Sequence, residues 1–129
     1  MPNHFPVVAR LACVVYWTIL TFGLLWPGVG DVSLTNLGVR LGNRADLLHC
    51  LAFMLLTLLV RWARWPWRPR WAITTLVLYG VGTELAQAPI PGRYASVLDV
   101  AANLLGILLG LTVGRWLSSL PLMGRVREG

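Results

Sequence analysis

Charged residues are scarce in this chain. They make up only 12% of its 129 residues, whereas 57% of the residues are hydrophobic. A soluble domain of this size has a large surface relative to its volume and needs more charge than this to stay in water. The composition therefore argues against a soluble domain and indicates a protein whose solvent is the lipid bilayer.

Cysteine is scarce as well. Its two copies, Cys13 and Cys50, both lie within apolar runs, where a disulfide framework would be a lone pair at membrane depth. We expect both to be buried as small hydrophobic residues. The sequence also lacks a linker or low-complexity tract between the apolar runs, so it predicts a single domain over residues 1–129.

The chain contains four long apolar runs. A helix needs roughly 20 mostly apolar residues to cross a bilayer. Backbone groups in hydrocarbon must be satisfied internally, so the runs are predicted to be helices rather than strands. The predicted fold class is all-α, a four-helix transmembrane bundle, with helices at about 7–26, 45–62, 71–88 and 95–117.

The net charge of +6 is unevenly distributed along these predicted spans. Eight arginines fall on one side of a four-span topology: Arg10, Arg61, Arg64, Arg68, Arg70, Arg115, Arg125 and Arg127. The positive-inside rule then places both termini and the loop at 61–70 in the cytoplasm. That loop, RWARWPWRPR, suits an anchor on anionic lipid, so the predicted partners are membrane lipids and not nucleic acid.

Acidic residues are few, and three of them stand at the ends of separate apolar runs. Each has a polar companion one helical turn away, which gives the pairs Asp46 with His49, Glu84 with Gln87, and Asp99 with Asn103. In the four-span topology all three pairs fall in the outer leaflet. A charge near the bilayer centre costs about 2.5–3.5 kcal/mol, and such groups pair with each other or mark a functional site. The sequence therefore predicts a polar pocket open to the outer leaflet.

The chemistry of these side chains suggests two sets of roles. His49 can act as general acid or base beside Asp46, with Glu84 as a second acid or base. Arg93, in the short turn before the fourth span, can hold a phosphate or carboxylate through two hydrogen bonds. The remaining predicted ligand-binding residues are Gln87, Asp99 and Asn103. A divalent ion held by Asp46, His49, Glu84 and Asp99 is only an alternative and no metal ligand is assigned, because the usual His and Cys spacings are missing.

Small residues follow the polar ones on the fourth span. Gly106, Gly110 and Gly114 recur every four residues, a spacing that lets two helix backbones approach closely in lipid. We expect tight helix packing below the pocket. A homo-oligomer that forms through the same glycine face is an alternative.

The polar residues and glycines singled out above, together with Phe53, Pro91 and Gly92, form an ordered set along the chain: Asp46, His49 and Phe53; Glu84 and Gln87; Pro91-Gly92-Arg93; Asp99 and Asn103; and Gly106 and Gly110. This ordered set resembles the VanZ-like family of small bacterial membrane proteins. The resemblance covers about residues 44–114. It departs at Leu47, where members often have lysine. It implies a multi-pass protein of the bacterial inner membrane, and some members are associated with resistance to the glycopeptide teicoplanin.

The sequence leaves the activity open between two classes. One is an enzyme that acts on an envelope lipid, and the other is a protein that recognises an amphiphile, such as a lipid-linked wall precursor or a glycopeptide, without turnover. A structural role, in which the polar residues only hold the bundle together, is a further alternative. No cofactor is predicted for any of them.

Overall fold

The computed structural model describes residues 4–26, 45–90 and 97–120. They form four helices: α1 (Phe5–Leu25), α2 (Ala45–Trp62), α3 (Pro69–Gln87) and α4 (Val97–Ser119). No strand occurs among these residues. The prediction of an all-α, four-helix fold is confirmed, and each predicted helix end lies within two residues of the observed one.

Two of the helices, α1 and α4, are long and apolar enough to cross a membrane. The core helix of a soluble protein would also be apolar, but it would be mostly buried. Only 17% of the apolar window of α1 and 33% of that of α4 are buried. Large apolar side chains face outwards instead, among them Ile19, Phe22, Leu78, Leu85 and Leu108. These features indicate a membrane protein.

The interface between α2 and α4 is the most extensive in the bundle. A Cβ atom on Gly106 would overlap the carbonyl oxygen of Cys50, and one on Gly110 would lie 2.6 Å from Cβ of Thr57. The two helices therefore run parallel, with backbones close enough to exclude a side chain. This contact covers the glycine face within one chain, so a contact between copies through it would require α2 to leave.

The core is apolar and lies where α1 and α3 pack on that helix pair. Phe53, Leu56, Leu76 and Ile107 are buried in it. Cys13 is buried in the same core, and both cysteines of the chain are buried and free, as predicted.

Polar contacts of α1 fix its direction in the bundle. The Tyr16 hydroxyl donates to the carbonyl of Ala52 at 2.8 Å, and the hydroxyls of Thr21 and Tyr79 lie 2.7 Å apart. At the start of α1, Arg10 donates to the carbonyl of Ala63 at 3.0 Å. The earlier residue of α1 thus contacts the end of α2, and the later residue contacts its middle. The two helices are therefore antiparallel.

Candidate functional site

Three helices bring polar side chains together at the end of the bundle where α2 and α4 begin and α3 ends. We call His49, Glu84, Asp99 and Asn103 the polar cluster. Nδ1 of His49 lies 3.1 Å from Oδ1 of Asn103 and 3.6 Å from Oε1 of Glu84. One ligand atom each from His49, Glu84 and Asp99 lie within 4.8 Å of one another. Four of the seven predicted site residues therefore meet.

Asn103 connects the helices of the cluster and is fully buried. Its Nδ2 donates to the carbonyl of Gly80 on α3 at 3.1 Å, which leaves Oδ1 to accept from His49. A proton on Nδ1 of His49 satisfies this contact, and the tautomer is assigned on that basis. Nε2 is then the ring atom of His49 that can take up a proton.

A close helix contact places Asn103 against α3. A Cβ atom on Gly80 would lie 3.3 Å from the ring of Phe53 and 3.4 Å from Cβ of Asn103. The first distance is tighter than most Cβ contacts and the second is at the ordinary van der Waals limit, so even alanine here would need the Phe53 ring to shift by a few tenths of an ångström. The glycine keeps its carbonyl within reach of the Asn103 amide.

Glu84 is the least satisfied member of the cluster. Its side chain is 3% exposed, and neither carboxylate oxygen has a hydrogen-bond partner within the described part of the chain. Its contact with His49, at 3.6 Å, is longer than a hydrogen bond. A buried acceptor without a donor costs about 1–3 kcal/mol. Native structures contain few such groups, and each calls for an explanation such as a ligand, an ion or a catalytic role.

The spacing within the cluster also suits a cation. Donor atoms that share one ion at about 2.0–2.4 Å lie at most about 4–5 Å apart. The single atoms offered by His49, Glu84 and Asp99 fall within that range. One imidazole nitrogen and two carboxylates match a hard or borderline divalent ion.

Gln87 does not join the polar cluster, although it shares a helix face with Glu84 in the sequence. Its side-chain amide is buried and donates to the carbonyl of Leu24 at 2.7 Å. That carbonyl belongs to the last turn of α1, where helix carbonyls lack partners within the helix. Gln87 thus satisfies the end of α1.

Two predicted site residues fall outside what the structure describes. Arg93 lies between the described segments, and the side chain of Asp46 is not described, although its backbone belongs to α2. Their roles in catalysis and binding stay predictions.

Sequence reasoning paired polar residues along each helix and missed the pairs between helices. It did not find the contact of His49 with Asn103, or the carbonyls of Gly80 and Leu24 as acceptors. One signal could have found the first pair. Asn103 lies one turn before Gly106, and a glycine at a close helix contact brings its neighbours on that face to the partner helix.

Comparison with protein families gives one match. The family model described as VanZ/LLP1 matches residues 8–118. Neither curated proteins nor solved structures gave a match. The matched region covers well over half of the chain and includes all members of the polar cluster. The chain therefore belongs to the VanZ/LLP1 family.

Proposed function

We propose that this protein recognises or acts on an envelope lipid, or a lipid-linked amphiphile, whose head group enters the polar cluster. All four helices cross the bacterial inner membrane and both termini are cytoplasmic, so the cluster opens to the outer leaflet. The arginine distribution supports this orientation, and Arg10 of α1 contacts the basic loop after α2. A lipid-linked wall precursor or a glycopeptide would meet the cluster from that side, in keeping with the resistance associated with VanZ-like proteins.

The observation that carries the proposal is the buried carboxylate of Glu84, which has no hydrogen-bond donor among the described residues. A polar network that served only to hold helices together would place donors on these oxygens, because burying them without donors is unfavourable. Those donors are absent among the described residues. A ligand with hydroxyl, amine or amide hydrogens would supply them.

The same geometry supports acid–base chemistry. Oδ1 of Asn103 accepts a hydrogen bond from Nδ1 of His49. Nε2 of His49 can then accept a proton from a ligand group or donate one to it. Thr83, the described hydroxyl residue beside Glu84, is a poor candidate for a nucleophile, because it donates to the carbonyl of Gly80 in its own helix. Arg93 would hold a phosphate or carboxylate of the ligand.

The test compares envelope lipids in cells that lack the gene and carry wild type, His49→Ala or Glu84→Gln. If the protein acts on the lipid, both variants should give the lipid profile of the deletion strain. Thr74→Ala is the matched control, since Thr74 lies exposed on α3 and bonds only within its helix. It should give the wild-type profile. Wild-type profiles in both cluster variants would rule out an enzyme; the absence of ligand binding to the purified wild-type protein would rule out recognition as well.

Catalysis and recognition differ in how they depend on His49. In an enzyme, His49→Ala abolishes the lipid change while a purified variant still binds the ligand. In a recognition protein, Arg93→Ala weakens binding most and His49→Ala has little effect. The structural alternative predicts that any variant with wild-type thermal stability also keeps the wild-type lipid profile.

A divalent cation in the cluster is a second candidate, favoured by the 4.8 Å limit on the separation of its three ligand atoms. The cation would occupy the lone pairs of Glu84 and polarise a bound head group. Elemental analysis of purified protein should then show one ion per chain, and none in Glu84→Gln. Protein without a stoichiometric ion, but with the lipid phenotype above, would exclude this candidate and leave the first.

A further inference from the structure

A cavity of about 600 Å³ lies at the other end of the bundle, where α2 ends and α3 begins. We call it the basic cavity. Three of its lining residues are arginines and several are apolar: Arg61, Arg64 and Arg115, with Val60, Leu76 and Leu111. Arg61 is twelve residues beyond His49, which is about 18 Å along a helix. The basic cavity is therefore separate from the polar cluster.

The charge around this cavity has one sign. None of its described lining residues is acidic. Arg61 donates to the hydroxyl of Ser118 at 3.3 Å, a contact that uses one of its five N–H groups. Three arginines among the lining residues favour an anionic ligand, because each guanidinium can donate strong hydrogen bonds to phosphate or carboxylate oxygens.

Arg64 occupies a backbone position that favours glycine. Its φ is +46°, in the left-handed region, just after the last turn of α2. Glycine is usual at this place after a helix, and other residues adopt it at a cost of about 1–2 kcal/mol. Strain of this kind persists where the side chain is needed. The guanidinium of Arg64 is a reason to keep arginine here.

The last glycine of the α4 series, Gly114, leaves room for the side chain of Arg61. A Cβ atom on Gly114 would lie 2.5 Å from Cδ and 3.0 Å from Nε of Arg61. The Arg61 side chain thus lies flat on the backbone of α4. This packing limits the freedom of a long side chain and holds its charge beside the cavity.

We propose that the basic cavity binds a phospholipid with an anionic head group. The three arginines contact the phosphate, and one acyl chain lies along Val60 and Leu76. The volume fits the range of ligand pockets, about 300–1,000 Å³. Basic pockets between membrane helices on the cytoplasmic side suit anionic head groups, and the apolar wall favours a lipid over free phosphate.

Native mass spectrometry of the full-length protein with phosphatidylglycerol tests the proposal. Wild type should bind it at least about tenfold more tightly than phosphatidylcholine with the same chains. Arg64→Gly should weaken that binding about tenfold, the value of one charged hydrogen bond. The same variant relieves the backbone strain, so its thermal unfolding midpoint should equal or exceed that of wild type.

Arg68→Gln is the matched control, because Arg68 lies in the same loop but does not line the cavity. It should bind phosphatidylglycerol like wild type. Equal loss in Arg68→Gln would show a general charge effect and overturn the proposal, as would unchanged binding in Arg64→Gly. Glycerol phosphate, which has no acyl chains, should not compete with the lipid at concentrations that the lipid itself requires; full competition would also contradict a lipid site.

Discussion

The polar cluster and the basic cavity lie at opposite ends of the same parallel helix pair, but the surroundings of their charged groups differ. In the polar cluster, side chains from three helices contact one another, and the buried carboxylate of Glu84 has no hydrogen-bond donor within the described segments. In the basic cavity, cations stand around a space of about 600 Å³. The first brings polar side chains into direct contact, whereas the second is a space lined by arginines and apolar side chains.

The glycine contact between α2 and α4 makes this contrast possible. It fixes the register of the two helices, so Asn103 meets His49 at one end and Gly114 meets Arg61 at the other. A change at the middle of this contact should therefore disturb both regions at once.

The largest effect is expected for Gly106→Ala. Its new Cβ would overlap the backbone carbonyl of Cys50, which cannot move without α2, so we expect a loss of about 3 kcal/mol or more, or no folded protein. Thermal unfolding in detergent measures this. Gly82→Ala is the control, because a Cβ there would meet nothing within 4 Å, and it should be neutral or stabilising by up to about 1 kcal/mol. Equal stability of the two variants would remove the close contact from the account.

Asn103→Ala should give the next largest effect and should be confined to the polar cluster. It removes a fully buried side chain and both of its hydrogen bonds, to His49 and to the Gly80 carbonyl. We expect a loss of about 2–4 kcal/mol in the free energy of unfolding. Binding of phosphatidylglycerol at the basic cavity should stay unchanged when measured below the unfolding midpoint. A loss of lipid binding in the folded variant would show that the two regions are coupled.

Glu84→Gln should change stability in the opposite direction, although Glu84 neighbours Asn103. The carboxylate has no hydrogen-bond donor to lose among the described residues, and glutamine removes the charge that burial disfavours. We expect the unfolding free energy to stay equal or rise by about 1 kcal/mol. A loss like that of Asn103→Ala, in the same unfolding experiment, would assign Glu84 a structural role.

Arg10→Gln should have a smaller effect than Asn103→Ala and act at the basic end only. Arg10 donates to the carbonyls of Ala63 and Arg64 at 3.0 and 2.8 Å and lies over the Trp65 ring. Because one of these bonds is exposed, we expect a loss of about 1–2 kcal/mol in thermal unfolding. Arg68→Gln, which has no such contact in the described structure, should be neutral. A loss as large in Arg68→Gln would point to charge rather than to these bonds.

Much of the fold could be predicted from the sequence because it follows from local composition. Apolar runs of helical length gave all four helices, and the glycine spacing indicated a close contact on α4. The depth of the polar residues along the bundle could be predicted from their distance to the helix ends. The predicted convergence of His49, Glu84, Asp99 and Asn103 is seen in the structure, while their roles in catalysis and binding stay predictions.

Partner choice within the site could not be predicted, because it depends on how each helix is rotated and how closely it packs. Gln87 and Glu84 share one face of α3, yet Gln87 reaches the Leu24 carbonyl while Glu84 faces His49. The basic cavity was missed for a similar reason. Two of its three arginines belong to the loop that the sequence predicts as a lipid anchor, and only the packing of the helices shows the space between all three.

The most direct test of the central claim is a structure of the full chain in a lipid bilayer, at a resolution that shows ordered ligands. The account predicts density that does not belong to the protein within about 3 Å of a carboxylate oxygen of Glu84. Donors from the chain itself on both oxygens of Glu84, with no such density, would contradict it.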